Sequence, residues 1–305
     1  MVSLTQSRGS GALARLAGAV VLTCALLVLP FVPAPPARAA SASLAFLQFN
    51  MCGNACGTHQ TVTTDVENSI NNHSPQPYVV TLNEVCRSQY SKLYVDLLPY
   101  YGHFEPTVSG ACWDGSDYGI AILLRTSSFS YLGSWSLPNP GGNEARKMSC
   151  LQTSVSGASQ PLIACVTHID YHSANIAAQV SAVASRAQGY WSGHKVLVGG
   201  DFNTTPGSSA MNPMYSTQYS AGTGVFNEAD SANFSRGGGG VGSTYNEYTG
   251  GCVSYPCGWQ AAYWNPTKKI DFMFLSRYDF TGYSADASYA LHSDHTPLWV
   301  TATIT

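Results

Sequence analysis

Carboxylates, carboxamides and imidazoles recur in this sequence at one kind of place, the end of an apolar run. Leu44–Phe49 runs into Asn50, Tyr78–Leu82 into Asn83-Glu84, Leu162–Thr167 into His168, and Lys195–Val198 into Gly199-Gly200-Asp201-Phe202-Asn203. Asp271 lies inside the run Ile270–Leu275, and Ser293-Asp294-His295 stands just before Leu298–Ile304. Taken singly, each residue has an ordinary explanation. Asn50 and Asp201–Asn203 suit turns, Glu84 suits a solvated strand end, and His168 suits a satisfied, half-buried ring. Asp271 is harder to dismiss, because a carboxylate in an apolar strand needs a partner. Gathered on one rim, the set supplies what attack on a phosphodiester needs. It has hard oxygen donors for a divalent cation, an imidazole to take a proton from water, and N–H donors for the non-bridging oxygens. Only 10% of the chain is charged, so this placement is selective.

The apolar runs read as strands that deliver these groups, and Tyr118–Leu124 is a further strand. Helical spacing links Val62, Val66 and Ile70, then Tyr90, Leu93, Tyr94 and Leu97. It is clearest for Ile176, Val180, Val183 and Ala187, with Ser173 as the N-cap. Many strands with few helices predict an α/β protein in which sheets pack together with helices outside. No internal repeat or linker divides it. The Gly-rich stretch 236–242 reads as a surface loop, since strands and polar motifs lie on both sides.

Taken in order, Phe49-Asn50, Asn83-Glu84-Val85, Gly119–Leu123, Thr167-His168, Gly200-Asp201-Phe202-Asn203, Ile270-Asp271-Phe272 and Ser293–Pro297 form a recognisable series. The chain resembles the endonuclease/exonuclease/phosphatase superfamily, in a secreted, bacterial-type form. The resemblance implies the deoxyribonuclease-I-like fold: a four-layer α/β sandwich of two central, mostly antiparallel β-sheets flanked by helices. It also implies phosphoester hydrolysis with Mg²⁺ or Mn²⁺. Glu84, Asn50 and Asp294 would then serve the metal, and His295 would be the general base oriented by Asp271. Asp201 would align the attacking water, while His168 and Asn203 would donate to phosphate oxygens. Two positions depart from the nuclease pattern. Cys86 stands where some members have a phosphate-binding Arg, with Arg87 next along. Tyr118 stands where some have a Glu behind the histidine matched by His168.

The N-terminus carries Arg8 and Arg15, then a 16-residue apolar run from Ala17 to Val32, then small residues at Ala37 and Ala39. This is the pattern of a secretory signal peptide, shorter than the ~20 residues of a membrane span. The expectation is a signal at 1–39, a domain at 40–305 and a secreted product. Removing 1–39 takes away three arginines and no carboxylate, moving the net charge from −3 to −6. A general basic coat for nucleic acid is therefore excluded, and local groups and metal must hold the substrate.

Eight cysteines remain after residue 39, and in an exported chain they read as disulfides. If the runs Lys147–Val155 and Pro161–Thr167 form a hairpin, Cys150 faces Cys165. Cys52/Cys56 and Cys252/Cys257 would each close a short loop, leaving Cys86/Cys112. The expected partner is a phosphodiester substrate, and the expected enzyme is a monomer with no obligate protein partner. Nucleic acid is the first reading. The alternative is a sphingomyelinase-like activity on a phospholipid head group, to which Asn83-Glu84-Val85 and the aromatic segment 255–264 lend themselves. A non-enzymatic binding module would not need the complete polar set.

Overall fold

Val, Ile, Leu and Phe alternate along the strand runs, so each strand has two faces to bury. The computed structural model, described for residues 41–141, 144–229, 268–287 and 291–305, answers with two six-stranded sheets. The first runs β11 (Phe280–Asp286), β12 (Leu298–Ile304), β1 (Ala42–Asn50), β2 (Pro77–Cys86), β4 (Tyr118–Leu124), β3 (Tyr101–Val108). The second runs β5 (Phe129–Ser136), β6 (Lys147–Thr153), β7 (Leu162–His168), β8 (Lys195–Asp201), β10 (Asp271–Ser276), β9 (Phe226–Glu228). Each sheet is antiparallel apart from one parallel pair, β1/β2 and β7/β8. A parallel pair needs a crossover. Here α1 (His59–Asn72) and α3 (Ser173–Trp191) provide them, and α2 (Arg87–Asp96) follows β2.

Three apolar layers result. Val62, Val66 and Ile70 of α1 and Leu93 of α2 pack with Leu47, Val80, Leu82 and Leu123 on the outer face of the first sheet. Val180, Val183 and Ala187 of α3 cover Ile163, Val196, Val198 and Phe274 on the second. Between the sheets lie Phe46, Val79, Ile122, Ala164, Leu197, Met273 and Val300. The architecture is the expected four-layer sandwich.

Some details differ from the sequence reading. Strands β3, β5, β9 and β11 were not anticipated, and all four are sheet edges. Ser173, expected as the N-cap of α3, is its first helical residue. His172 precedes it and makes no side-chain capping bond; its ring Nδ1 turns to Asp170 Oδ1 at 2.8 Å. The hairpin register holds: Cys150 pairs with Cys165 across β6/β7 and is bonded to it. Disulfides also join Cys52 to Cys56 and Cys86 to Cys112. Cys252, Cys257, the Gly-rich stretch 236–242, the aromatic segment 255–264 and the expected signal at 1–39 lie outside the described residues. Among the described residues no helix is long and apolar enough to cross a membrane.

The inner layer changes character along its length. Phe46 and Val79 point between the sheets; two residues on, by the period of a strand, so do Gln48 and Thr81. Thr81 Oγ1 donates to Gln48 Oε1 at 2.6 Å. Space for the pair comes from Gly199 on the opposite sheet, where a Cβ would stand 2.2 Å from Thr81 Oγ1. Gly199→Ala should therefore lower stability by about 1–3 kcal/mol, as overpacking does, read as a lower denaturant midpoint with an unchanged m-value.

Candidate functional site

One further step along the strands brings the polar side chains together. Asn50 and Asn83 are register partners across β1/β2, His168 and Asp201 across β7/β8, and Asp201 and Asp271 across β8/β10. All eight expected site residues meet at this end of the two sheets. Asn83 joins the sheets directly. Its Oδ1 accepts from Gln48 Nε2 (2.7 Å) and from the backbone N–H of Asp201 (2.8 Å), and its Nδ2 donates to Thr167 O (2.8 Å). Gln48 Nε2 also reaches Asp271 Oδ1 at 3.2 Å.

His295 comes from the loop before β12. Ser293 Oγ donates to Asn50 O (2.8 Å) and accepts from His295 N (3.0 Å). His292 is held by Asp65 of α1, and its carbonyl accepts from Thr58 Oγ1 at 2.7 Å. Thus fixed, His295 Nδ1 meets Asp271 Oδ2 at 2.6 Å, with both residues buried. Burial alone would depress this imidazole, but the Asp271 charge and hydrogen bond, with Asp201 and Asp294 behind them, raise its pKa well above the ordinary histidine value. Its Nε2 faces the cleft, 3.7 Å from Asp201 Oδ2 and 4.0 Å from Asp294 Oδ1.

Glu84 sits in left-handed backbone at φ 55°, where β2 slips register against β4 between Leu82 and Val85. Such a conformation is costly for a non-glycine residue and needs its surroundings to impose it. They do so densely. Gly53 N–H donates to Glu84 O at 2.8 Å, and Gln89 bridges Cys86 N–H and Gly53 O. The Cys52–Cys56 and Cys86–Cys112 bonds begin two residues beyond Asn50 and Glu84. Asn50 Nδ2 donates to Glu84 Oε1 and Asp201 Oδ2, both at 3.1 Å, while its Oδ1 accepts from Cys52 N–H at 2.9 Å. Asn50 therefore orients both carboxylates.

The donor set fits a hard divalent cation. Glu84 and Asp294 bring carboxylates to the cleft; Asp201, Asp271 and His295 also have ligand atoms within 4.8 Å of one another, but Asp271 and His295 are taken up by their mutual hydrogen bond. Burial raises the pKa of Glu84, with Asp294 adding to it, and burial with the Asp271 charge raises that of Asp201. These are crowded, desolvated anions that a cation would relieve. Cys52 and Cys56 also lie near Asp294, but as a disulfide they offer no thiolate.

One participant is absent from the sequence reading. Arg146 is buried, and its Nη1 lies 2.7 Å from His168 Nδ1. A guanidinium can only donate, so Nδ1 accepts and the proton of a neutral His168 sits on Nε2, toward Asp201 (3.6 Å) and Glu84 (3.9 Å). Burial first, then the Arg146 charge, pushes the His168 pKa well below the ordinary value. Glu144 pairs with Arg146 at 3.3 Å. Arg87 instead turns to Asp117 (3.2 Å) and over the Phe104 ring. Asn203, at φ 47°, donates through Nδ2 to Ile169 O at 2.9 Å. The cleft these groups line has a volume of about 440 Å³, with Tyr118 and Tyr171 also on its walls.

Residues 47–295 match the model of the Endonuclease/Exonuclease/phosphatase family. The chain belongs to this family. Similar solved structures include the human Nocturnin catalytic domain with bound sulfate, at 21% identity, TM-score 0.61, and coverage of 86% of this chain and 94% of that one. Another is Danio rerio TDP2 complexed with single-strand DNA product, at 16% identity, TM-score 0.63, and coverage of 87% and 100%. A third is a Bacteroides thetaiotaomicron mannosyl-6-phosphatase, at 15% identity, TM-score 0.61, and coverage of 85% and 99%. At these identities they show a shared fold. No curated protein matches the chain in sequence.

In this member of the family the support behind His168 is cationic. Arg146→Met should release Nδ1 and let the ring exchange tautomers. Nitrogen-15 NMR of His168 should change from one Nε2–H form to a mixture, and turnover should fall by less than the roughly 10²–10³-fold that losing such a donor outright costs. An unchanged nitrogen spectrum would remove Arg146 from this role.

Proposed function

We propose that this chain is a secreted, divalent-metal-dependent phosphodiesterase that hydrolyses nucleic acid, using Mg²⁺ or Mn²⁺. The observation that carries the reading is the buried His295–Asp271 pair, whose His295 lines one cleft with Glu84, Asp201 and Asp294. Glu84 and Asp294 would hold the metal, with Asn50 fixing the Glu84 carboxylate. The ion, when bound, supplies charge neutralisation at the phosphoryl oxygens and the leaving oxygen. His295 Nε2 takes the proton of the attacking water, and Asp271 holds the ring in that tautomer and steadies its cationic form. Asp201 Oδ2 aligns the water. His168 Nε2–H, its other nitrogen engaged by Arg146, donates to a non-bridging oxygen, and Asn203 lies beside it for a second. A histidine held neutral in this way acts as a donor and leaves the proton chemistry to His295.

Nucleic acid is favoured as substrate by TDP2, a structural neighbour captured with a single-strand DNA product. Export is supported by the three disulfides and by the N-terminal sequence pattern.

Purified protein incubated with plasmid DNA, RNA, bis-nitrophenyl phosphate and sphingomyelin vesicles separates the readings. Nucleic acid and the generic diester should be cut with Mg²⁺ or Mn²⁺ and left intact in chelator. Full activity in excess chelator would sink the metal assignment. Glu84→Gln should raise the metal concentration needed and lower turnover sharply.

The base is tested by a mutant cycle. His295→Ala should lose about 10²–10⁴-fold in turnover, and Asp271→Asn should lose a large part of that. The double variant should be scarcely slower than His295→Ala, because the pair acts as a unit. Multiplying losses would make Asp271 a metal ligand or a structural carboxylate instead.

A further inference from the structure

The cleft has a feature that phosphate chemistry does not use. Tyr171, three residues beyond His168, lines it with 66% of its surface exposed. An aromatic ring left this open on a floppy loop would mean little, but the loop beneath it is rigidly held. Asp170 is 1% exposed. It accepts from His172 N–H (3.1 Å), His172 Nδ1 (2.8 Å) and Asn175 Nδ2 (2.7 Å). Its own N–H donates to the buried Gln179 at 2.8 Å, and Ile169 N–H donates to Asp201 O at 2.9 Å. The His172 ring packs against one face of Tyr171, centroids 4.0 Å apart and planes tilted by 34°, which leaves the other face for a base. The chain thus uses a buried carboxylate to present a tyrosine at the lip of its phosphate site.

With 14 Lys+Arg against 17 Asp+Glu, there is little to release counterions along a phosphate backbone. The guanidinium lining the cleft, Arg146, turns its Nη1 to His168 at 2.7 Å and to Glu144 at 3.3 Å. Beyond the scissile phosphate, which the metal and the local donors hold, a strand gains little from its backbone charges here, and stacking of bases on exposed aromatic faces is the general alternative.

We propose that Tyr171 is the platform of a nucleobase subsite beside the scissile phosphate, so that the enzyme grips an unpaired nucleotide and favours single-stranded substrate. This rests on the nucleic-acid reading above. Binding is measured by anisotropy in Mg²⁺, on a His295→Ala background to slow cleavage. The probes are labelled octathymidylate and an abasic oligomer of the same length, which keeps the phosphates and lacks the bases. The thymidylate should bind roughly 10-fold more tightly. Tyr171→Ala and Tyr171→Leu should bring that ratio close to one with abasic binding and melting temperature unchanged, and Tyr171→Phe should keep it. Tyr278→Ala, altering a tyrosine 68% exposed on the turn at the other end of β10, should also keep it.

A ratio that survives Tyr171→Ala overturns the subsite, as does equal wild-type binding of the two oligomers. So does a Tyr171→Ala defect confined to sedimentation with sphingomyelin vesicles, which would make the residue a lipid contact. Binding of neither oligomer would instead defeat the nucleic-acid reading itself, and the subsite with it.

Discussion

The Asn83 carboxamide is the point on which the two sheets and the site between them depend. A sandwich is ordinarily filled by apolar side chains throughout, and at one end this one is, with Phe46, Val79, Leu197 and Met273. Toward the other end the inner positions become Gln48, Thr81, Asn83, Asp201 and Asp271, nearly all fully buried. Buried polar groups are tolerable only when paired. Asn83 meets that condition by accepting from one sheet's side chain and the other sheet's backbone while donating to a third group. Its bond from the Asp201 N–H sets the height of that carboxylate relative to Glu84, one residue along from Asn83 on the first sheet. The site is therefore an extension of the core's own hydrogen bonding.

The two histidines show what this environment does to like side chains. Both are buried, and burial alone lowers both. Asp271 against Nδ1 reverses the effect for His295, whereas Arg146 against Nδ1 deepens it for His168. A partner's sign at the distal nitrogen thus decides whether the proximal nitrogen handles a proton or only offers one. Environments that drive two titratable groups apart are how a single cleft divides its tasks at one pH.

Much of this was legible in the sequence. Parallel pairs bury both faces, so β1, β2, β7 and β8 read as dense apolar runs, and their C-terminal ends were easy places to look for Asn50, Glu84, His168 and Asp201. Arg146 was missed because it stands before a strand. Strand β6 is antiparallel to β7, which brings its N-terminal end to the same rim as His168. Tyr118, the first residue of β4, reaches the cleft by the same geometry. The role of Gln48 was hidden for a different reason: a lone polar residue in an apolar run acquires meaning only once the facing sheet is known. Edge strands escaped notice because they have one neighbour and a half-solvated pattern. In β5, FSYLGSWS, no residue is fully buried.

Those edges have a consequence for how the molecule behaves among its own copies. Strand β3 slips register at Pro106/Val108, β5 at Tyr131/Gly133 and β11 at Thr281/Ser284, and β9 is only three residues long. A sheet grows by adding strands to an edge with regular, unpaired N–H and C=O groups. Among the described residues each sheet ends on both sides in a kinked or truncated strand, a poor template for further pairing. These four edges offer few straight stretches along which sheets of neighbouring copies could join into fibrils.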